Sequence, residues 1–297
     1  MRHANWYSTT AKRNRPGLNR RPLMMSHIQH GGIESFWIAG ALIFIVLTYL
    51  RVWLRLRTRE HDGIEGWRAG SFVLGLVFIW IATTSPLAML DHELLTAHMV
   101  QHILLMTLAP PLIWLGMPGK PMLHGLLQVV AHPALCWFAA AATLVVWHIP
   151  SAFMLGMRSQ IWHGIEQASF LAAGLLFWWP VVRPQNSLKW PEWSILLYLF
   201  LATLPCDILS GFLVFCDRVV YPVFLSSPRS FGLSPLEDQQ CAGALMWTCV
   251  TIIYLIAGTV FTARLLSPHR SDELAILEFD SRPSALGHTD PQRIGAA

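Results

Sequence analysis

Seven stretches of this chain, 33 to 54, 69 to 89, 94 to 117, 133 to 155, 161 to 182, 193 to 215 and 241 to 264, are apolar and long. Each meets the roughly 20 residues that a helix needs to cross a bilayer. In hydrocarbon every backbone N–H and C=O must be satisfied, so such runs leave a helical bundle as the architecture. The connections are too short for a separate soluble domain, and the charged share of 13% is about half that of an average soluble domain. The 297 residues read as all-α, a polytopic integral membrane bundle with seven transmembrane helices between positions 33 and 266. No internal repeat is visible.

Residues 1–32 are polar and carry Lys12, Arg13, Arg15, Arg20 and Arg21, without the apolar core of a secretory signal. Two readings stay open: a flexible arginine-rich segment, or an extension upstream of a start at Met24 or Met25. Residues 267–297, polar and containing Pro283 and Pro291, read as a disordered cytoplasmic tail. The five cysteines are dispersed and form no C-x-x-C, which argues against a disulfide framework. They read as small buried hydrophobes, with Cys206 and Cys241 as secondary metal candidates.

Charge asymmetry sets the orientation. Arg51, Arg55, Arg57, Arg59 and Arg68 crowd the first connection, whereas Ser85 to Glu93 holds no Lys or Arg. The N-terminus is therefore expected outside and the C-terminus in the cytoplasm. On that topology the polar residues of five spans gather at one level. Asp91, His92, Glu93, His98 and His102 open the third span, His148 ends the fourth, and His163, Glu166 and Gln167 begin the fifth. Asp207 lies near the end of the sixth, and Glu237 and Asp238 precede the seventh. Independent helices do not bury ionisable groups at one depth without cause, so a shared polar site in the outer half is expected.

His98, His102 and Met106 follow an i, i+4, i+8 ladder on one helix face. Imidazole with thioether suits a soft transition metal such as copper better than calcium or magnesium. Pairs of histidines also pack helices by hydrogen bonding alone, so that reading stands beside metal ligation. His163 and Glu166, at i, i+3, suit a carboxylate that orients an imidazole, or an interfacial capping pair. Asp207 is expected to pair with His102. Pro110 and Pro111 remove two backbone donors and are expected to kink the third span. The remaining methionines read as gap-fillers, and the tryptophans at span ends as an aromatic belt. No P-loop, dinucleotide fingerprint, H-E-x-x-H or G-x-S-x-G is present, and the net charge of +4 lies mostly beside the spans, which gives no support to nucleic-acid binding.

The run His98-Met99-Val100-Gln101-His102 with Pro110-Pro111 and Leu115-Gly116-Met117-Pro118 resembles the CtaG family of cytochrome c oxidase assembly factors. So do Trp147-His148-Ile149-Pro150, His163-x-x-Glu166, Phe177-Trp178-Trp179-Pro180, and Ser234-Pro235-Leu236 leading into Asp238-Gln239-Gln240 and Met246-Trp247. The resemblance implies a seven-span, non-enzymatic protein of the bacterial inner membrane that serves oxidase assembly and is associated with copper delivery. Its partners would be an oxidase subunit and membrane lipid. Where the family pattern has a second histidine after the glutamate, this chain has Gln167, a poor copper ligand. The expected transient copper ligands are His98, His102 and His148, with Met106 and His163 as secondary candidates. Asp207, Glu166, Asp238 and His92 are expected to support them. Two alternatives stay open: a b-type cytochrome with haem between histidines such as His102 and His148, and a scaffold that binds no metal.

Overall fold

A computed structural model of the chain describes residues 21–58, 65–118, 132–183, 191, 193–227 and 231–266, without the side chains of 21–35. The expected disordered tail lies outside the described residues, as do positions 1–20. Helix α1, Arg21–Arg57, starts ahead of the expected position 33. Pro22 in its first turn lacks only an N–H that no helix uses there, so nothing stops the helix from beginning early. Then come α2 (Gly66–Thr84), a short α3 (Leu87–Leu90) after the break at Pro86, and the third span. That span is built from α4 (Leu95–His102), a π turn over Ile103–Leu108, and α5 (Ala109–Gly116). Next are α6 (Pro133–His148), α7 (Pro150–Arg158), α8 (Gln160–Val182), α9 (Ser194–Phe215), a 3-10 turn (Pro222–Ser226) and α10 (Pro235–Leu266).

Six of these helices are long and apolar enough to cross a membrane, and the α6–α7 pair, bent by 75°, makes up to seven. The fourth span is thus broken where a continuous segment from 133 to 155 is expected. Pro150 forces its predecessor out of the helical region, and Ile149 is extended at φ −63 ψ 128. The 16 residues of α6 reach about 24 Å, so α7 turns across the end of the bundle where His148 lies.

Burial ranks the spans. The third and fifth have 56% and 50% of their apolar windows buried, against 11% for the first, so α4–α5 and α8 are the helices able to enclose a site. The third span joins two packed cores. Its Leu95, Met99 and Ile103 meet Tyr198, Leu213, Met246 and Tyr254, while Leu104, Ala109 and Ile113 meet Tyr49, Phe72 and Ile79.

The π turn is where the expected kink is taken up. Pro110 has no N–H to give Met106 O, four residues before it, and Ala109 N donates to Leu104 O, five residues before it. Met106 O is served instead by Trp178 Nε1–H from α8 at 3.2 Å. This requires close approach, and Gly174 provides it: a Cβ there would meet Met106 O at 2.5 Å and Pro110 Cγ at 2.7 Å.

The start of α4 is fixed from the far end of the chain. Leu94 at its N-cap has no side-chain acceptor. The carboxylate of Asp238, in the first turn of α10, accepts from Leu95 N at 2.6 Å, Thr96 N at 3.1 Å and Thr96 Oγ1 at 2.6 Å. Asp238 is therefore a cap supplied by another helix, a corrected role for a residue expected beside the metal ligands. It satisfies N–H groups that the helix itself leaves open.

Candidate metal centre

On α4, Leu95, His98, Met99 and His102 share one buried face, and on α8 His163, Glu166, Phe170, Ala173, Gly174 and Phe177 do the same. Both sets follow the i, i+3, i+4 recurrence of a helix stripe. Where the stripes meet, His98 Nε2 and His102 Nε2 lie 2.9 Å apart. Glu166 Oε1 is 3.3 Å from each. The three side chains are 0%, 5% and 1% exposed. Two imidazole nitrogens this close cannot both point a hydrogen at each other, so at least one presents a lone pair.

The other oxygen of Glu166 faces a second group. Oε2 is 3.5 Å from His163 Nδ1, and His163 Nε2 is 3.0 Å from Asp91 Oδ2. The Gln167 amide nitrogen lies 2.9 Å from the same His163 nitrogen, and Gln101 donates to Asp91 Oδ2 at 3.1 Å. His92 Nε2 stands 3.7 Å from Asp91 Oδ1, with its side chain half exposed. Burial works to raise the Asp91 carboxyl. The hydrogen bond from His163 and the imidazoles of His92, His163 and His98 outweigh it and hold the group below its ordinary range. Among the described residues neither Asp91 nor Glu166 makes an ion pair with Lys or Arg; their ion-pair partners are histidines.

His148 stands beside this cluster. Its Nδ1–H donates to Leu144 O at 2.7 Å, which leaves the Nε2 lone pair free, but that nitrogen faces Met99 Sδ at 3.4 Å. The His148 ring is 5.8 Å from the His102 ring, centroid to centroid. The side chain that converges with His98 and His102 is Glu166, while His148, expected as the third ligand, stands outside that triad. Met106 contributes its backbone carbonyl to the packing of α8 and lines a cavity with His102, while the sulfur 3.4 Å from an imidazole nitrogen is that of Met99.

Asp207 is corrected as well. It is half-buried on α9 between buried Cys206 and exposed Ile208, and among the described residues the carboxylate in reach of His102 is that of Glu166. Sequence reasoning placed Glu166 only as a supporting residue, set Asp91 at the level of the site without a partner, read Met99 as a gap-filler, and gave Gln101 no role. The available signal for Asp91 was its place in the short acidic connection immediately before the histidine-bearing span.

A transition metal fits the triad. Side lengths of 2.9, 3.3 and 3.3 Å give a circumscribed radius of about 1.8 Å, so His98, His102 and Glu166 would reach one ion at the usual ~2.0–2.1 Å from nitrogen and oxygen donors. The Nδ1 atoms of His98 and His102 are buried without a hydrogen-bond partner, and beyond its contacts with three histidines the Glu166 carboxylate makes no hydrogen bond, which leaves buried polar groups short of partners. Gly156 on α7 makes room for the carboxylate, since a Cβ there would meet Glu166 Oε2 at 2.6 Å. Gly156→Ala should displace that flexible carboxylate while favouring the helix. Metal affinity, measured by chelator competition, is expected to fall about 10–100-fold, as for disturbed ligand orientation elsewhere, with protein level unchanged; unaltered affinity would count against the geometry.

The molecule is thus an integral helical membrane protein built around a buried histidine–carboxylate cluster. The chain belongs to the cytochrome c oxidase caa3 assembly factor family (Caa3_CtaG), which it matches over residues 47–267. Comparison with curated proteins and with solved structures returned no match.

Proposed function

We propose that this chain is a non-enzymatic assembly factor that binds a copper ion transiently at His98, His102 and Glu166 and passes it to a subunit of cytochrome c oxidase in the bacterial inner membrane. The observation that carries this reading is the convergence of two Nε2 atoms and one carboxylate oxygen within 3.3 Å in a fully buried position. Family membership supplies the oxidase. Imidazole with carboxylate is a borderline to hard donor set, and Cu(II) binds such sets more tightly than the other divalent first-row metals. Three protein donors leave a position for an incoming ligand, and His102 borders a cavity of about 40 Å³, enough for one water-sized group. The basic first connection supports an orientation with the N-terminus outside and the cluster in the outer half.

A haem between His102 and His148 finds less support. His102 Nε2 is turned to His98 and Glu166, and Phe170 stacks on its ring at 3.9 Å.

The test is the His98→Ala, His102→Ala double variant. Insertion and protein level should stay near wild type, because removing polar groups from a span does not oppose insertion. Oxidase activity of membranes grown under limiting copper should collapse, with partial recovery on added copper. Full activity under limiting copper would favour a metal-free scaffold.

A further inference from the structure

Resting on the copper reading above, we propose that Asp91, His163 and His98 form a second, outer copper site that loads the inner triad. Their donor atoms lie within 4.8 Å of one another. His98 belongs to both groups, and Glu166 turns one oxygen to each: Oε1 to His98 and His102, Oε2 to His163. An ion can therefore leave Asp91 and His163 for His102 and Glu166 while His98 keeps hold of it. Two bonds to the metal form and two break, with no change in its oxidation state and no free ion in the bilayer.

Exposure gives the route a direction. The side chain of His92 is 50% exposed, those of His163 and Asp91 are 6% and 2%, and that of His98 is 0%. His92, the most exposed of these side chains, borders the group, with its ring 5.8 Å from that of His163. The outer group lies nearer the exposed His92, as a loading site must, and the inner triad lies deeper. Asp91 Oδ1 and His163 Nδ1 are buried and make no hydrogen bond beyond their ion-pair contacts with His92 and Glu166, so the group keeps donor capacity that its neighbours do not use. Asp91 also offsets the charge of a cation at that level, where among the described residues no Lys or Arg pairs with it.

Purified full-length protein in detergent, titrated with Cu(II), provides the test through stoichiometry, electron paramagnetic resonance and stopped-flow loading. Wild type should take one ion per chain. Asp91→Asn and His163→Gln should each slow loading at least about ten-fold, the lower end of the loss seen when a metal's surroundings are disturbed, with a much smaller change in final affinity. His102→Ala should still bind one copper, more weakly and with a different spectrum, because the outer group is intact. Wild-type loading rates in both Asp91→Asn and His163→Gln would overturn the proposal, and so would absence of binding in His102→Ala. Neither result touches the inner site. Absence of binding in wild type would instead remove the copper reading itself.

Discussion

Glu166→Gln is expected to weaken copper binding by at least about 100-fold, or roughly 2.8 kcal/mol. The amide keeps the volume and shape of the carboxylate, so the packing of α8 against α4 should survive. What it loses is the anionic donor. A cation between His98 and His102 then has two neutral imidazoles and loses the carboxylate oxygen that lies 3.3 Å from both imidazole nitrogens, in surroundings where charge is poorly screened by water. The expected loss is at or above the upper end of that seen for residues that only orient a ligand. Chelator competition on purified protein measures it, and oxidase activity under limiting copper should fall in parallel. Wild-type affinity in this variant would show that Glu166 is a neighbour of the site and not a donor.

Gly174→Ala is expected to lower thermal stability and copper affinity together. The added methyl would lie 2.5 Å from Met106 O, 2.7 Å from Pro110 Cγ and 2.8 Å from Met106 Cα, which are backbone and ring atoms that cannot swing aside. Overpacking of this kind costs about 1–3 kcal/mol and exceeds the gain of up to ~1 kcal/mol from replacing a helical glycine. If α8 backs away, the Trp178 bond to Met106 O at 3.2 Å is lost, and Glu166 on the same helix moves from His98 and His102. Gly164→Ala is the control on α8, because a Cβ there meets nothing within 4 Å. Thermal unfolding in detergent should separate the two variants; equal stability would mean that the close approach is not needed.

The two helices that carry the centre could be read from their apolar length, and His98 with His102 from their spacing on one face. Hydropathy gives the depth of a residue in a bundle. It does not give the direction in which the side chain points, because that depends on which helices are neighbours. Asp207 and Glu166 share a level in the sequence reading, yet α8 turns Glu166 to His102 while α9 leaves Asp207 half-buried beside Cys206. Asp238 lies at the same level for a different reason, the cap on α4. The break in the fourth span was signalled by Pro150, and the π turn by Pro110 and Pro111. In both cases the missing N–H is plain in the sequence, whereas the way each helix accommodates it depends on its packing partners.

The capping of α4 by Asp238 also imposes an order on biosynthesis. Asp238 is translated 142 positions after Thr96, when the histidine-bearing helix has long since left the ribosome. Until α10 docks, the first amides of α4 lack their acceptor and His98 has no fixed starting turn beneath it. The centre is therefore completed only once the last of the described helices has been made. A nascent or truncated chain can sit in the membrane with all its histidines and still offer copper no finished place to bind.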